Sequence, residues 1–219
     1  MSHVPSRDRA PRIHATALVE PGVELGEGTS VWDNVHIRGP ATIGHDCIVG
    51  EKTYVAYGVR IGDFVKINAQ VYVCTGVTIA DRVMIAAGVI FTNDRYPRAF
   101  DLASGGLADS GPNEDTLATT VHEGATIGAG AIIGPGLTVG AYAMIGMGSV
   151  VTRSVPDFHL VVGNPARSIG CVCRCGQPIA RWDDLPDNEP QRVTCGVCQL
   201  PYEIVGRNVT ELSLSIAGG

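Results

Sequence analysis

Large apolar residues recur along this chain with a period of six. The series runs Ile13, Val19, Leu25, Val31, Ile37, Ile43, Val49, Val55, Ile61, Ile67, Val73, Ile79, Ile85 and Phe91 without a missed step. It breaks and resumes as Val121, Ile127, Ile133, Val139, Ile145 and Val151. Four places after most of these stands a smaller or branched residue, such as Ala17, Thr29, Val35, Cys47, Thr53, Ala125 and Ala131. Six matches neither the 3.6-residue period of a helix nor the two-residue period of a plain strand. It predicts a short strand and a turn, repeated, with one large side chain inward per strand. Glycine often follows that residue, as at Gly26, Gly44, Gly50 and Gly62. There it would allow positive φ and close approach of neighbouring turns. Three units make one triangular coil, and the twenty units give between six and seven coils. Stacked coils bury a continuous aliphatic column, each depending on its neighbours. The expected fold is all-β, a parallel β-helix.

The register stops at Phe91 and returns at Val121. The intervening segment, 92–120, opens with concentrated polar residues and continues rich in Ser, Gly and Asp. A long loop on a rigid scaffold is a common place for function, although a tolerated insertion is the plain alternative. The expected organisation is a lead-in over 1–12, a β-helix over 13–170 and a cysteine-bearing module over 171–219.

With these repeats, the chain resembles the left-handed parallel β-helix acyltransferases of the hexapeptide-repeat family. The handedness is implied by the resemblance, as are a homotrimer with active sites between subunits and coenzyme A as acyl carrier. Phe91-Thr92-Asn93-Asp94-Arg95-Tyr96-Pro97-Arg98 resembles the Phe-Thr-Asn segment of nucleotide-sugar N-acetyltransferases. Val31-Trp32 followed by Val35-His36 agrees with it, and Val162-Gly163-Asn164-Pro165-Ala166-Arg167 resembles the closing motif of these transferases at large. The implied activity is transfer of an acyl group, acetyl in the first place, from acetyl-CoA to a nucleotide-linked amino sugar. The alternatives are O-acetylation of a sugar or small alcohol, and a non-enzymatic zinc-ribbon scaffold.

The candidate residues follow from that chemistry. An acceptor amine must be deprotonated and held against a thioester carbonyl, and placement alone supplies much of the rate. Asn93 can hold the amine or the carbonyl, and Asp94 can orient an ammonium or take its proton. Either could instead be a turn-forming or solvated loop residue. His36 and His122 are the candidate general bases if the acceptor is an alcohol. Asn68, Gln70, Arg95, Tyr96 and Arg98 are candidate acceptor contacts, the arginines through a diphosphate. Arg167 is a candidate contact to coenzyme A. The γ-class carbonic anhydrases share the β-helix, but the spacing of the six histidines here does not resemble their zinc site.

Five of the seven cysteines fall between 171 and 198. Cys173, Cys175, Cys195 and Cys198 pair on two turns with the spacing of metal ligands, and four thiolates would hold a structural zinc. Cys171 competes for one place. Cys47 fills a small inward position, and Cys74 is expected to face outward.

Composition narrows the picture further. Charged residues are 17% of the chain, aromatics 5%, and 28 residues are glycine, which suits short strands and tight turns. A net charge of −6 argues against nucleic acid as a partner. No apolar run is long enough to span a membrane, and residues 1–12 lack the apolar stretch of a secretory signal, so a cytoplasmic location is expected.

Overall fold

The computed structural model describes residues 9–186 and 189–212. Two- and three-residue strands stack in parallel into three sheets, the faces of a β-solenoid. The first face begins with Arg12–Ile13, the second with Leu18–Val19 and the third with Val23–Leu25. Partners along each face stand three hexapeptides apart, as in Arg12↔Ser30, His36↔Tyr54 and Thr42↔Arg60. One coil is therefore three hexapeptides. Across the register break the offset is larger. Ile79 pairs with Val121 rather than with Pro97, so the coil carrying the inserted loop is more than twice the usual length.

The inward column is dry. Ile37, Val55, Val73, Phe91 and Ile133 stack on the second face, each at most 1% exposed. The solenoid's first rung is open, with Ile13 48% exposed. Polar atoms at the small inward positions are satisfied by a repeated device. Thr29, Cys47 and Thr53 each donate to the carbonyl 15 residues on and accept the N–H 18 residues on. Such pairing matters because an unpartnered buried polar group is expensive.

The glycines divide into two roles. Left-handed backbone falls three places after the inward residue, at Gly58 and Gly88 but also at Asn34, Asp46 and Gln70. Gly50, directly after its inward residue, has ordinary φ and serves close approach: a Cβ there would lie 2.6 Å from the Asn68 carbonyl carbon.

Two boundaries differ from expectation. Residues 1–8 of the expected lead-in lie outside the described residues, but Arg9 pairs with Asp46 and Arg12 already forms the first rung. The division expected at 170/171 falls inside the strand Ala166–Val172. That strand runs antiparallel to His159–Gly163 and pairs with Pro178–Arg181, so the tail grows out of the first face without a linker. Gln191–Thr194, Pro201–Val205 and Asn208–Glu211 form a separate antiparallel sheet. It docks on the solenoid end through Phe158, edge-on to Tyr202 and stacked on Tyr142. Beside this contact, His159 is buried. Its Nε2 donates to the Arg207 carbonyl at 2.8 Å, so Nδ1 accepts from the Ser168 hydroxyl, whose oxygen accepts Trp182 Nε1–H.

Candidate functional site

The stacking of coils builds the site. Outward positions of the second face form two columns. Before each inward residue stand Leu18, His36, Tyr54, Tyr72 and Ile90; after it stand Glu20, Arg38, Ala56, Cys74 and Thr92. Tyr54 and Tyr72 stack at 5.2 Å with planes 6° apart, and His36 meets Tyr54 edge-on. Glu20 accepts His36 Nε2 at 2.7 Å and the Gly39 N–H at 3.3 Å, and lies 3.6 Å from Arg38 Nε. The His36 hydrogen bond, helped by the Gly39 amide and Arg38, holds the Glu20 carboxyl below its usual range. Arg38 also lies over the Tyr57 ring, 5.2 Å from its centre.

The inserted loop stands over one side of this face, with Asp94, Ser110 and Pro112 toward Ala56 and Cys74, and is pinned at its root. Asn93 donates its side-chain amide to the Thr75 carbonyl at 3.2 Å, and its own carbonyl accepts Leu117 N–H. Asp94 accepts the Thr116 hydroxyl at 3.1 Å across an isolated bridge. Between loop and face lies a cleft of about 240 Å³. Arg38, Tyr57, Tyr72 and Cys74 line it from the solenoid, and Asn93 and Asp94 line it from the loop. Cys74 does turn toward this cleft, yet it is 2% exposed because the loop roofs it. Burial pushes its thiol up to about 12 and raises the Tyr72 hydroxyl. Cys74 therefore stays protonated at neutral pH and is no nucleophile.

The other sequence candidates scatter. His36 does not line the cleft; it touches the lining residue Tyr54 and, through Glu20, adjoins Arg38. His122 is exposed and follows Val121 on the third face. Asn68 and Gln70 sit on the turn between the first and second faces, where Asn68 offers its carbonyl to Thr53 and Gln70 takes the left-handed conformation. Tyr96 and Arg98 line a separate hollow of about 450 Å³ within the loop, shared with Asp94. Arg98 bonds the Pro97 carbonyl, and Arg95 lies over Tyr96. Arg167 is exposed and bonds its neighbour's carbonyl, that of Ala166. Arg38, Tyr54, Tyr57 and Tyr72 were missed. Their signal was legible: columns read one coil at a time lead from Asn93's neighbour Thr92 back through Cys74 and Ala56 to Arg38.

The cysteine cluster forms a second candidate site. The sulfurs of Cys173, Cys175, Cys195 and Cys198 all lie within 4.8 Å of one another, with Cys173–Cys198 at 3.2 Å and Cys175–Cys195 at 3.6 Å. Tetrahedral zinc at about 2.3 Å from each sulfur requires separations of roughly 3.8 Å. The four fit. The N–H groups of Cys198 and Val197 face Cys195 and lower its thiol to about 6. Cys171 is buried outside the group, with its thiol raised by burial to about 11.

Comparisons with known proteins agree with the architecture. The bacterial transferase hexapeptide model, six repeats, matches residues 22–57, 58–93 and 118–153. Over 57 residues, 26% of this chain, the sequence is 51% identical to a dTDP-3-amino-3,6-dideoxy-alpha-D-galactopyranose 3-N-acetyltransferase of Aneurinibacillus thermoaerophilus, covering 30% of that protein. Over 35 residues, 16% of this chain, it is 63% identical to an acyl-[acyl-carrier-protein]–UDP-N-acetylglucosamine O-acyltransferase of Brucella ovis, covering 13% of it. The matched parts thus span less than a third of either relative. The crystal structure of AntD, an N-acyltransferase from Bacillus cereus in complex with dTDP and 3-hydroxybutyryl-CoA, shares the fold. Its TM-score is 0.53 at 22% identity, over 76% of this chain and 82% of that one.

Proposed function

Because this chain belongs to the bacterial transferase hexapeptide-repeat family, we propose that it is a coenzyme A-dependent N-acyltransferase, in the first place an N-acetyltransferase, acting on a nucleotide-linked amino sugar. The observation that carries this reading is the cleft: Asn93 and Asp94 share it, and no histidine lines it among the described residues. An alcohol acceptor needs a base to make it nucleophilic, whereas an amine needs mainly placement and loss of one proton. The 51% identity over 57 residues to an amino-sugar N-acetyltransferase supports the same class.

In this mechanism Asp94 receives the acceptor ammonium and takes or relays its proton. The freed nitrogen attacks the thioester carbonyl carbon. A C–N bond forms, the C–S bond breaks, and the sulfur leaves as the thiol of coenzyme A after gaining a proton. Asn93 keeps one amide hydrogen on Thr75 and has a second free for the carbonyl oxygen as it gains charge. Arg95, Tyr96 and Arg98 on the loop, Asn68 and Gln70 on the turn, and Arg167 in the closing motif remain the proposed outer contacts to acceptor and coenzyme A.

The four cysteines would hold a structural zinc, and their sulfur separations support this; four sulfurs leave no open position for chemistry. A homotrimer is supported by the contrast between faces. The third presents Glu24, Thr42, Arg60 and Thr78, whereas the second presents Leu18, Tyr72, Ile90 and Ile132, each at least 37% exposed. A cytoplasmic setting agrees with seven cysteines that form no disulfide. No helix among the described residues is long and apolar enough to cross a membrane.

The test is release of free thiol from acetyl-CoA against a panel of dTDP-, UDP- and GDP-linked amino sugars and their hydroxyl analogues. Turnover of an amine but not its analogue is expected, with Asn93→Ala and Asp94→Asn each losing roughly 10²-fold in kcat. Turnover confined to the hydroxyl compounds, and abolished by His36→Ala or His122→Ala, overturns the N-acyl reading.

A further inference from the structure

We infer that Arg38 anchors the diphosphate of the acceptor, at the opposite end of the cleft's charge from Asp94. The inference rests on the amino-sugar reading above. Among the described residues lining the cleft, only these two carry a formal charge, one of each sign. The rest are tyrosines, small residues and neutral polar groups. A cleft with one cation and one carboxylate matches a ligand with an anionic part and a cationic part. A nucleotide-linked amino sugar is such a ligand, with diphosphate at one end and ammonium at the other. Acetyl-CoA also carries phosphates, but it has no ammonium to meet Asp94.

Arg38 is built for this task. Glu20 faces the guanidinium at its Nε edge, and Glu20 is itself fixed by His36 Nε2 and the Gly39 N–H. Gly39 has no room for a side chain, since a Cβ would run into the Pro21 carbonyl oxygen. The Tyr57 ring supports the cation from one side, an arrangement that favours arginine over lysine. No hydrogen bond among the described residues ties its terminal nitrogens to a backbone carbonyl, and its side chain is 43% exposed. Apart from the Tyr57 ring, Glu20 and the Tyr54 hydroxyl are the side-chain groups beside the guanidinium, and the nitrogens they leave open can be offered bidentately to phosphate oxygens. Arg98 differs, because its terminal nitrogen is engaged with Pro97 and it lines the other hollow. Glu20 and His36 become positioning residues for Arg38, which gives the His36–Glu20 pair a role that does not require the imidazole to touch substrate.

The experiment is calorimetric titration of the full chain with dTDP, UDP, GDP and coenzyme A, for the wild type and for Arg38→Gln, Arg38→Lys and Arg192→Gln. Expected is binding of at least one nucleoside diphosphate, weakened about 10- to 100-fold in Arg38→Gln. Arg38→Lys should recover part of that loss. Coenzyme A affinity should be unchanged, which also shows that the variant is folded. Arg192→Gln, an exposed arginine of the tail paired with Glu203, should bind like wild type. Nucleoside diphosphate binding that is intact in Arg38→Gln overturns the inference and leaves the amino-sugar reading standing. Loss of coenzyme A binding with nucleotide binding intact assigns Arg38 to the other substrate and overturns it equally. A wild-type protein that binds none of the three diphosphates overturns both the inference and the reading on which it rests.

Discussion

The solenoid and the cysteine tail reach order by opposite means. In the solenoid, order is distributed: each rung buries one apolar residue against the same position one coil before and one coil after it. No rung is indispensable in kind, and no rung is stable alone. In the tail, order is concentrated. Cys195, Tyr202 and Ile204 are buried around a short three-stranded sheet, and four sulfurs converge on one point. So small a sheet buries too little apolar surface to persist alone, and a bound metal is one remedy. Repetition supplies cooperativity along the solenoid, and ligation of the proposed zinc would supply it at the tail.

The sharpest way to break this contrast is at the thiols. Structural zinc in small peptides is worth about 10 kcal/mol or more at neutral pH. Cys195→Ser, or chelation, should abolish amide-exchange protection over Gln191–Thr194 and Pro201–Val205. Rungs from Val31 to Val151 should keep theirs. Equal protection with and without chelator would remove zinc from the account. A smaller but more widely felt effect is expected from Ile67→Ala in mid-column, where the side chain is 1% exposed. A loss of about 2–5 kcal/mol is expected from denaturant melts. The weakening should extend to rungs on both sides of Ile67, because neighbouring coils share the column. A strictly local exchange change would contradict the distributed picture.

The smallest effect concerns the joint between the two regions. Burial lowers the pKa of His159 below its usual 6.5, opposed by the hydrogen bond to the Arg207 carbonyl; the Arg207 charge lowers it further and Asp157 raises it. The unfolded chain therefore takes up this proton first as pH falls. The stability tied to neutral His159 is complete above about 6.5 and is lost as pH drops from there through the lower folded value. Melting curves at pH 8 and 5.5 should show a steeper loss for wild type than for His159→Gln. Comparing the two slopes cancels the protonation of the cysteine thiolates, which both proteins share. Identical slopes would show that His159 does not couple the tail to pH.

Much of the fold was legible because the solenoid repeats its environment. Every sixth residue meets the same interior, so side-chain size alone sets the period from Ile13 to Val151. The cysteine cluster was legible for a similar reason, since two close-set cysteine pairs stand on separate turns, and only the exclusion of Cys171 from the cluster needed coordinates. The site was read less completely. Asn93 and Asp94 were found from a local segment. Arg38 and Tyr72 were not, because they lie on earlier coils, far from Asn93 in sequence. Asn68 and Gln70, chosen for their nearness to the register break, stand on a corner of the coil and do not line the cleft, so they could meet the acceptor only outside it.

By itself the sequence determined the coil: its period, its inward column and the place where one coil swells to take in the loop. Those follow from local choices, each repeated often enough to be unambiguous. Only the tertiary structure decided which outward side chains meet. Stacking coil on coil makes neighbours of His36, Tyr54 and Tyr72, and the return of the loop through Thr116 and Leu117 sets Asn93 and Asp94 opposite Arg38. Outward positions answer to no common packing rule, so their chemistry is free to vary from rung to rung, and its meaning exists only where the fold brings the columns and the loop together.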